Sequence, residues 1–130
     1  MKTVLVVEDD ANNWRVFQKI LTKRGGLAAR LSENVEEVMQ IAQSGEADLI
    51  LMDVSLSNSR YQGKAVDGIT IAQMLKTNPK TANLPVILIT AHVGDRKNFL
   101  AQSGADGFIA KPVLDQQEFV NQILAKLSNE

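Results

Sequence analysis

Four short apolar runs, separated by stretches of helical periodicity, constrain this chain more than any other feature. They are Thr3-Val4-Leu5-Val6-Val7, Asp48-Leu49-Ile50-Leu51-Met52, Pro85-Val86-Ile87-Leu88-Ile89 and Gly107-Phe108-Ile109-Ala110. Each is about strand length, and the first three are apolar on both faces. Strands buried on both faces read this way in parallel sheets covered by helices. A weaker fifth strand is predicted at Leu27-Ala28-Ala29-Arg30-Leu31, after the Gly25-Gly26 turn.

Between the runs the apolar period becomes helical. Trp14, Val16, Phe17, Ile20 and Leu21 mark a first helix ending near Gly25. Val35, Val38 and Ala42 mark a second, capped by Ser32 and closed at Gly45. Ile71, Ala72 and Leu75 mark a third, stopped by Asn78-Pro79. Phe99 and Leu100 lie on a fourth, closed by Gly104. Phe119, Val120, Ile123, Leu124 and Leu127 form the stripe of a last helix starting near Asp115. Strand and helix thus alternate five times, the pattern of an α/β domain with a parallel sheet and right-handed crossovers. The 130 residues suffice for one such domain, and the five units use nearly all of them. The expectation is a single domain over 1–130 with no output domain.

Composition narrows the chemistry. The chain has no cysteine and one histidine, which excludes thiolate and multi-histidine metal sites and makes a Ser-His-Asp hydrolase strained. A net charge of -1 offers no bulk reason to bind nucleic acid. No apolar run approaches the roughly 20 residues of a membrane span. The first residues lack the cleavage site of a signal peptide. A cytoplasmic location is the expectation.

In open parallel sheets, ligands bind beyond the carboxyl ends of the strands. Glu8-Asp9-Asp10 follow the first run, Asp53 the run ending at Met52, Thr90-Ala91-His92 the next, and Lys111-Pro112 the last. Taken singly, Asp10 reads as a helix cap, Asp53 as a cap or turn residue, and Lys111 as a surface lysine. Their joint occurrence at separate strand ends argues for a site. Carboxylates from separate strands repel one another and keep their charge when a cation joins them. Hard oxygen ligands without Cys or His suit Mg²⁺. Lys111 and Thr90 add an ammonium and a hydroxyl for an incoming phosphoryl group. Asp53, placed centrally, could act as a nucleophile and become an aspartyl phosphate.

Four blocks carry a resemblance. Val6-Val7-Glu8-Asp9-Asp10, Leu51-Met52-Asp53, Pro85 to Ala91, and Gly104 to Pro112 resemble the signatures of the response-regulator receiver domain, in order and over essentially the whole chain. Stand-alone receivers of chemotaxis and cell-cycle relay type are the most similar. The resemblance implies a doubly wound, five-stranded parallel sheet flanked by five helices, flavodoxin-like, with strand order 2-1-3-4-5. It implies that Asp53 accepts a phosphoryl group from a histidine kinase or histidine phosphotransfer protein. Glu8, Asp9 and Asp53 would position Mg²⁺, with Ser55 supplying a backbone carbonyl. Asp10 is not a ligand in this pattern. Thr90 would bond a phosphoryl oxygen and Lys111 would pair with the group, across a cis Lys111-Pro112 bond. Phe108 matches the aromatic switch residue, turning inward as Thr90 moves. A downstream protein target, neither nucleic acid nor membrane, would read the changed surface of the fourth helix, fifth strand and fifth helix.

The chain departs from the pattern after Asp53. Ser57 stands where the family has proline, and Asp67-Gly68 come 14 and 15 residues past Asp53, later than in the family. The added residues, within 56–66, form an irregular loop beside the acceptor in this reading. Arg60, Tyr61 and Lys64 are its candidate partner contacts, since Tyr and Arg are favoured at interfaces; a tolerated surface insertion is the plain alternative. His92 borders the site or is an ordinary loop histidine. A phosphatase of haloacid-dehalogenase type would need a second aspartate where Ser55 stands. A phosphorylation-independent interaction module would not need the complete set of Glu8, Asp9, Asp53, Thr90 and Lys111.

Overall fold

The computed structural model describes residues 1–56 and 59–128, with the backbone alone at Val93. Ser57, read above as the replaced proline, lies outside the described residues. The main sheet contains β1 (Thr3–Val7), β2 (Ala28–Ser32), β3 (Leu49–Asp53), β6 (Val86–Thr90) and β7 (Gly107–Ala110), all parallel, in the order β2-β1-β3-β6-β7. This is the expected order 2-1-3-4-5, since β4 (Arg60–Tyr61) and β5 (Lys64–Ala65) form a separate hairpin. Among the described residues, five α-helices accompany the sheet: α1 (Ala11–Lys23), α2 (Val35–Ser44), α3 (Gly68–Thr77), α4 (Arg96–Ser103) and α5 (Gln116–Ser128).

The apolar runs are strands because both their faces are covered. Leu5, Val7, Ile50, Met52, Val86, Leu88 and Phe108 point into one core with Val38, Ile41, Ile71 and Leu75 of α2 and α3. The alternate residues Val4, Val6, Leu49, Leu51, Ile87, Ile89 and Ile109 point into the other, with Phe17, Ile20 and Leu21 of α1 and Phe119, Val120 and Ile123 of α5. Period-two alternation thus persists through the apolar runs of β1, β3 and β6. Phe17 and Phe119 join α1 to α5 through tilted rings with centroids 5.8 Å apart. Such a pair is worth about 0.5–1.5 kcal/mol beyond its buried area.

Four local expectations are corrected. The cap of α2 is Asn34, whose side chain accepts from the Glu37 N–H at 3.0 Å. Ser32 instead ends β2, its hydroxyl accepting from the Asn34 N–H at 3.2 Å. Val16 and Leu124, assigned to apolar stripes, lie on the outer faces of their helices, Val16 being 49% exposed. The added residues after Asp53 are not irregular throughout. Arg60 pairs with Ala65 and Tyr61 with Lys64 across a two-residue turn. Gln62 (φ 52°) and Gly63 (φ 82°) both have positive φ, the condition for a I′ hairpin turn.

Candidate phosphoacceptor site

Sheet order reverses direction at β1, so the crevice for a ligand opens where β1 and β3 end. Glu8 and Asp9 follow β1, and Asp53 closes β3. Asp10, one residue further, caps α1, accepting from the N–H groups of Asn12 and Asn13 at 2.8 and 3.1 Å. One carboxylate oxygen each of Glu8, Asp9 and Asp53 lies within 4.8 Å of the others.

Lys111 arrives from β7. Its backbone N–H donates to the Thr90 carbonyl at 2.9 Å, which keeps the ends of β6 and β7 together. The Lys111–Pro112 peptide is cis. The ammonium donates to Asp53 Oδ2 at 3.0 Å and to Glu8 Oε1 at 3.3 Å. Asp53 Oδ1 accepts the Ser55 N–H at 3.0 Å. Both oxygens of the nearly buried Asp53 side chain therefore have defined donors.

One ammonium does not neutralise two buried carboxylates, which favours uptake of a proton. Burial, followed by the hydrogen bond to Asp53 and the repulsion from its charge, pushes Glu8 up to about 7. Burial pushes Asp53 up as well. The hydrogen bonds from Glu8, the Ser55 N–H and Lys111, with the lysine's charge, outweigh it and hold Asp53 below its ordinary value. The two shifts run in opposite directions, so a proton shared by the pair favours Glu8 and leaves Asp53 the more acidic carboxyl.

The return of the chain after the hairpin also packs against Asp53. Gly68, the first residue of α3, donates its N–H to the Val54 carbonyl at 3.1 Å. A Cβ at this position would collide with the Asp53 carbonyl oxygen. Only glycine lets α3 approach this closely. No reading of strand ends singles out Gly68; the Asp67-Gly68 pair was the available signal, with Asp67 capping α3 by accepting from the Thr70 N–H at 2.9 Å.

The remaining sequence-predicted residues lie around this centre. Thr90 is buried at the end of β6, its hydroxyl accepting from the His92 N–H at 3.1 Å. The His92 side chain is exposed. Phe108 is already buried, with the Arg96 guanidinium 5.6 Å from its ring centroid. Arg60 and Lys64 are exposed on the hairpin, whereas Tyr61 is half-buried and packs on the core. A cavity of about 430 Å³ borders the site, lined by Glu8, Asp9, Leu31, Glu33, Asn34 and Glu37 among others.

Hard oxygen ligands converging from two strand ends, an ionised carboxylate and a paired lysine fit a small divalent cation and a phosphoryl group. Comparison with known proteins agrees in kind. The family model of the response regulator receiver domain matches residues 4–124. The polar-differentiation response regulator DivK of Brucella anthropi is 31% identical over 114 residues, 86% of this chain and 85% of DivK. The receiver domain of a sensor histidine kinase from Pseudomonas aeruginosa PAO1, solved with magnesium coordinated in its active-site cleft, superposes with a TM-score of 0.80 at 26% identity, over 98% of each chain. The receiver domain of a signal-transduction histidine kinase from Syntrophus aciditrophicus gives a TM-score of 0.81 at 26% identity, over 99% of this chain and 92% of that one. With the family model spanning nearly the whole chain and the same sheet fold in its structural neighbours, the chain belongs to the response-regulator receiver domain family of two-component signalling.

Proposed function

We propose that this receiver takes a phosphoryl group onto Asp53 from the phosphohistidine of a histidine kinase or histidine phosphotransfer protein, and that the modified form binds a downstream protein. The contact set of Asp53 carries this reading: a nearly buried carboxylate held by Lys111 at 3.0 Å and the Ser55 N–H at 3.0 Å, with Glu8 and Asp9 within ligand distance. An oxygen of Asp53 forms the new P–O bond as the donor's P–N bond breaks, and the bonding electrons remain on the imidazole nitrogen. Lys111 is already placed to pair with a phosphoryl oxygen once it releases Asp53. The buried Thr90 hydroxyl can donate to another by turning away from its local contacts.

Glu8, Asp9 and Asp53, with the Ser55 carbonyl, would hold Mg²⁺, which on binding supplies positive charge against the transferring group. Glu8 must lose its proton to serve there. The reading makes the protein a phosphoacceptor that assists its own phosphorylation and hydrolysis, not an enzyme acting on outside substrates. It places the protein in the cytoplasm; no helix among the described residues is long and apolar enough to cross a membrane.

Incubation with acetyl phosphate and Mg²⁺, followed by intact-mass measurement, tests the proposal. One added phosphoryl group is expected in the wild-type protein and none in Asp53→Asn. Turnover of acetyl phosphate without an adduct would favour a phosphatase. An adduct that survives Asp53→Asn removes Asp53 from the role.

A further inference from the structure

The described residues between Asp53 and α3 are anchored beside the proposed acceptor. The segment leaves at Val54 and closes at Gly68, whose N–H bonds back to the Val54 carbonyl at 3.1 Å. Within it the β4–β5 hairpin is held firmly. The buried Ser59 hydroxyl donates to the Glu33 carbonyl at 3.0 Å, the Val66 N–H returns to the Ser59 carbonyl at 3.0 Å, and β4 lies against α2. Tyr61 packs on the core and serves as the hairpin's apolar root.

What the hairpin presents outward is cationic. Between Val54 and Val66 the sequence has no acidic residue and two basic ones, Arg60 and Lys64. Both are exposed, and among the described residues neither has a carboxylate partner. The pairing register puts Lys64 with Tyr61 on one face of the ribbon and Arg60 with Ala65 on the other. The long side chains therefore flank the Gln62-Gly63 turn from both faces. The neighbouring cavity is the electrostatic opposite, with Asp9, Glu33 and Glu37 in its lining. A cationic projection beside an anionic cleft gives the acceptor face a polarity that can fix one orientation of a partner.

We infer that the hairpin docks an acidic surface patch of the protein that exchanges phosphoryl groups with Asp53, and so selects among such proteins. This rests on the phosphoacceptor reading above. A free small donor has no such patch and no use for the hairpin. Ordered backbone at the base means little conformational entropy is lost on docking.

The test compares wild type with Arg60→Glu/Lys64→Glu and with the charge-conserving Arg60→Lys/Lys64→Arg. Each is assayed for phosphotransfer from every purified, phosphorylated histidine kinase and histidine phosphotransfer protein of the source organism, and separately from acetyl phosphate. With the protein donor that serves wild type best, charge reversal should slow transfer roughly tenfold at low salt and flatten its salt dependence, because rim charges act mainly on association. The charge-conserving variant should stay near wild type, and acetyl phosphate should modify all three alike. Equal transfer to wild type and the reversed variant overturns the inference, as does the failure of every protein donor on a wild type that acetyl phosphate modifies. Failure of acetyl phosphate on wild type overturns the phosphoacceptor reading instead. Thermal melts of both variants, expected within a few degrees of wild type because the two side chains are exposed, exclude misfolding as the cause.

Discussion

If the acidic cluster holds Mg²⁺ as proposed, Glu8 makes metal binding a proton exchange. Its carboxyl titrates at about 7 because it is buried and bonded to Asp53. A divalent cation requires the carboxylate, so Mg²⁺ and the proton compete for the site. With that titration point, Glu8 is about nine-tenths protonated at pH 6 and about one-tenth at pH 8. Apparent Mg²⁺ affinity should therefore be roughly tenfold weaker at pH 6 than at pH 8, about 1.4 kcal/mol. At pH 7, binding should release about half a proton. Isothermal titration calorimetry in buffers of different ionisation enthalpy measures both quantities. Glu8→Gln should bind more weakly but with the slope between pH 6 and 8 largely gone. An affinity constant within about twofold across this range, or a slope retained in Glu8→Gln, refutes a proton on Glu8. The same shift has a stability consequence in the metal-free protein. A raised carboxyl favours folding at low pH, and its contribution is lost as pH rises from the ordinary 4.5 through about 7. The depressed Asp53 acts oppositely, contributing above its ordinary 3.8 and losing that contribution as pH falls.

Two further substitutions probe the frame around the acceptor. Gly68→Ala forces a Cβ against the Asp53 carbonyl and should destabilise the fold by about 1–3 kcal/mol, read by urea unfolding, while slowing modification by acetyl phosphate. A stable and fully reactive Gly68→Ala would show that the close approach does not matter. Lys111→Met removes the ammonium shared by Glu8 and Asp53 and should raise the titration point of the pair, visible in carboxyl ¹³C shifts. The cost to folding should be smaller near pH 5, where Glu8 is protonated and Asp53 alone loses its partner, than at pH 8, where both carboxylates do and the cost is roughly 1–3 kcal/mol. A cost independent of pH would count against the shared-proton arrangement.

The sheet could be read before its geometry was known because burial on both faces leaves a plain trace. Leu49 to Met52 is an unbroken apolar run for that reason, and parallel topology then delivers Glu8, Asp53, Thr90 and Lys111 to one edge. The hairpin left no such trace. Its strands have two residues each, too short for a period, and Gln62-Gly63 is a weaker turn signal than Asn-Gly or Asp-Gly. Ser32 and Asn34 are both good caps two residues apart, and the end of β2 at Ser32 decides between them. The proton on Glu8 depends on its distance from Asp53 across two strands, and the need for Gly68 on the depth to which α3 approaches β3. Neither distance is written in local sequence.

The most direct measurement concerns the chemical identity of the acceptor. Protein treated with acetyl phosphate and Mg²⁺ can be reduced with borohydride, which converts an aspartyl phosphate to homoserine, and then mapped by peptide mass spectrometry. Homoserine is expected at residue 53 and nowhere else, absent when Mg²⁺ is withheld. Homoserine at Asp9 or another carboxylate, or a phosphoryl group that resists reduction because it sits on a hydroxyl such as that of Thr90, would contradict the assignment of Asp53 as the phosphoacceptor.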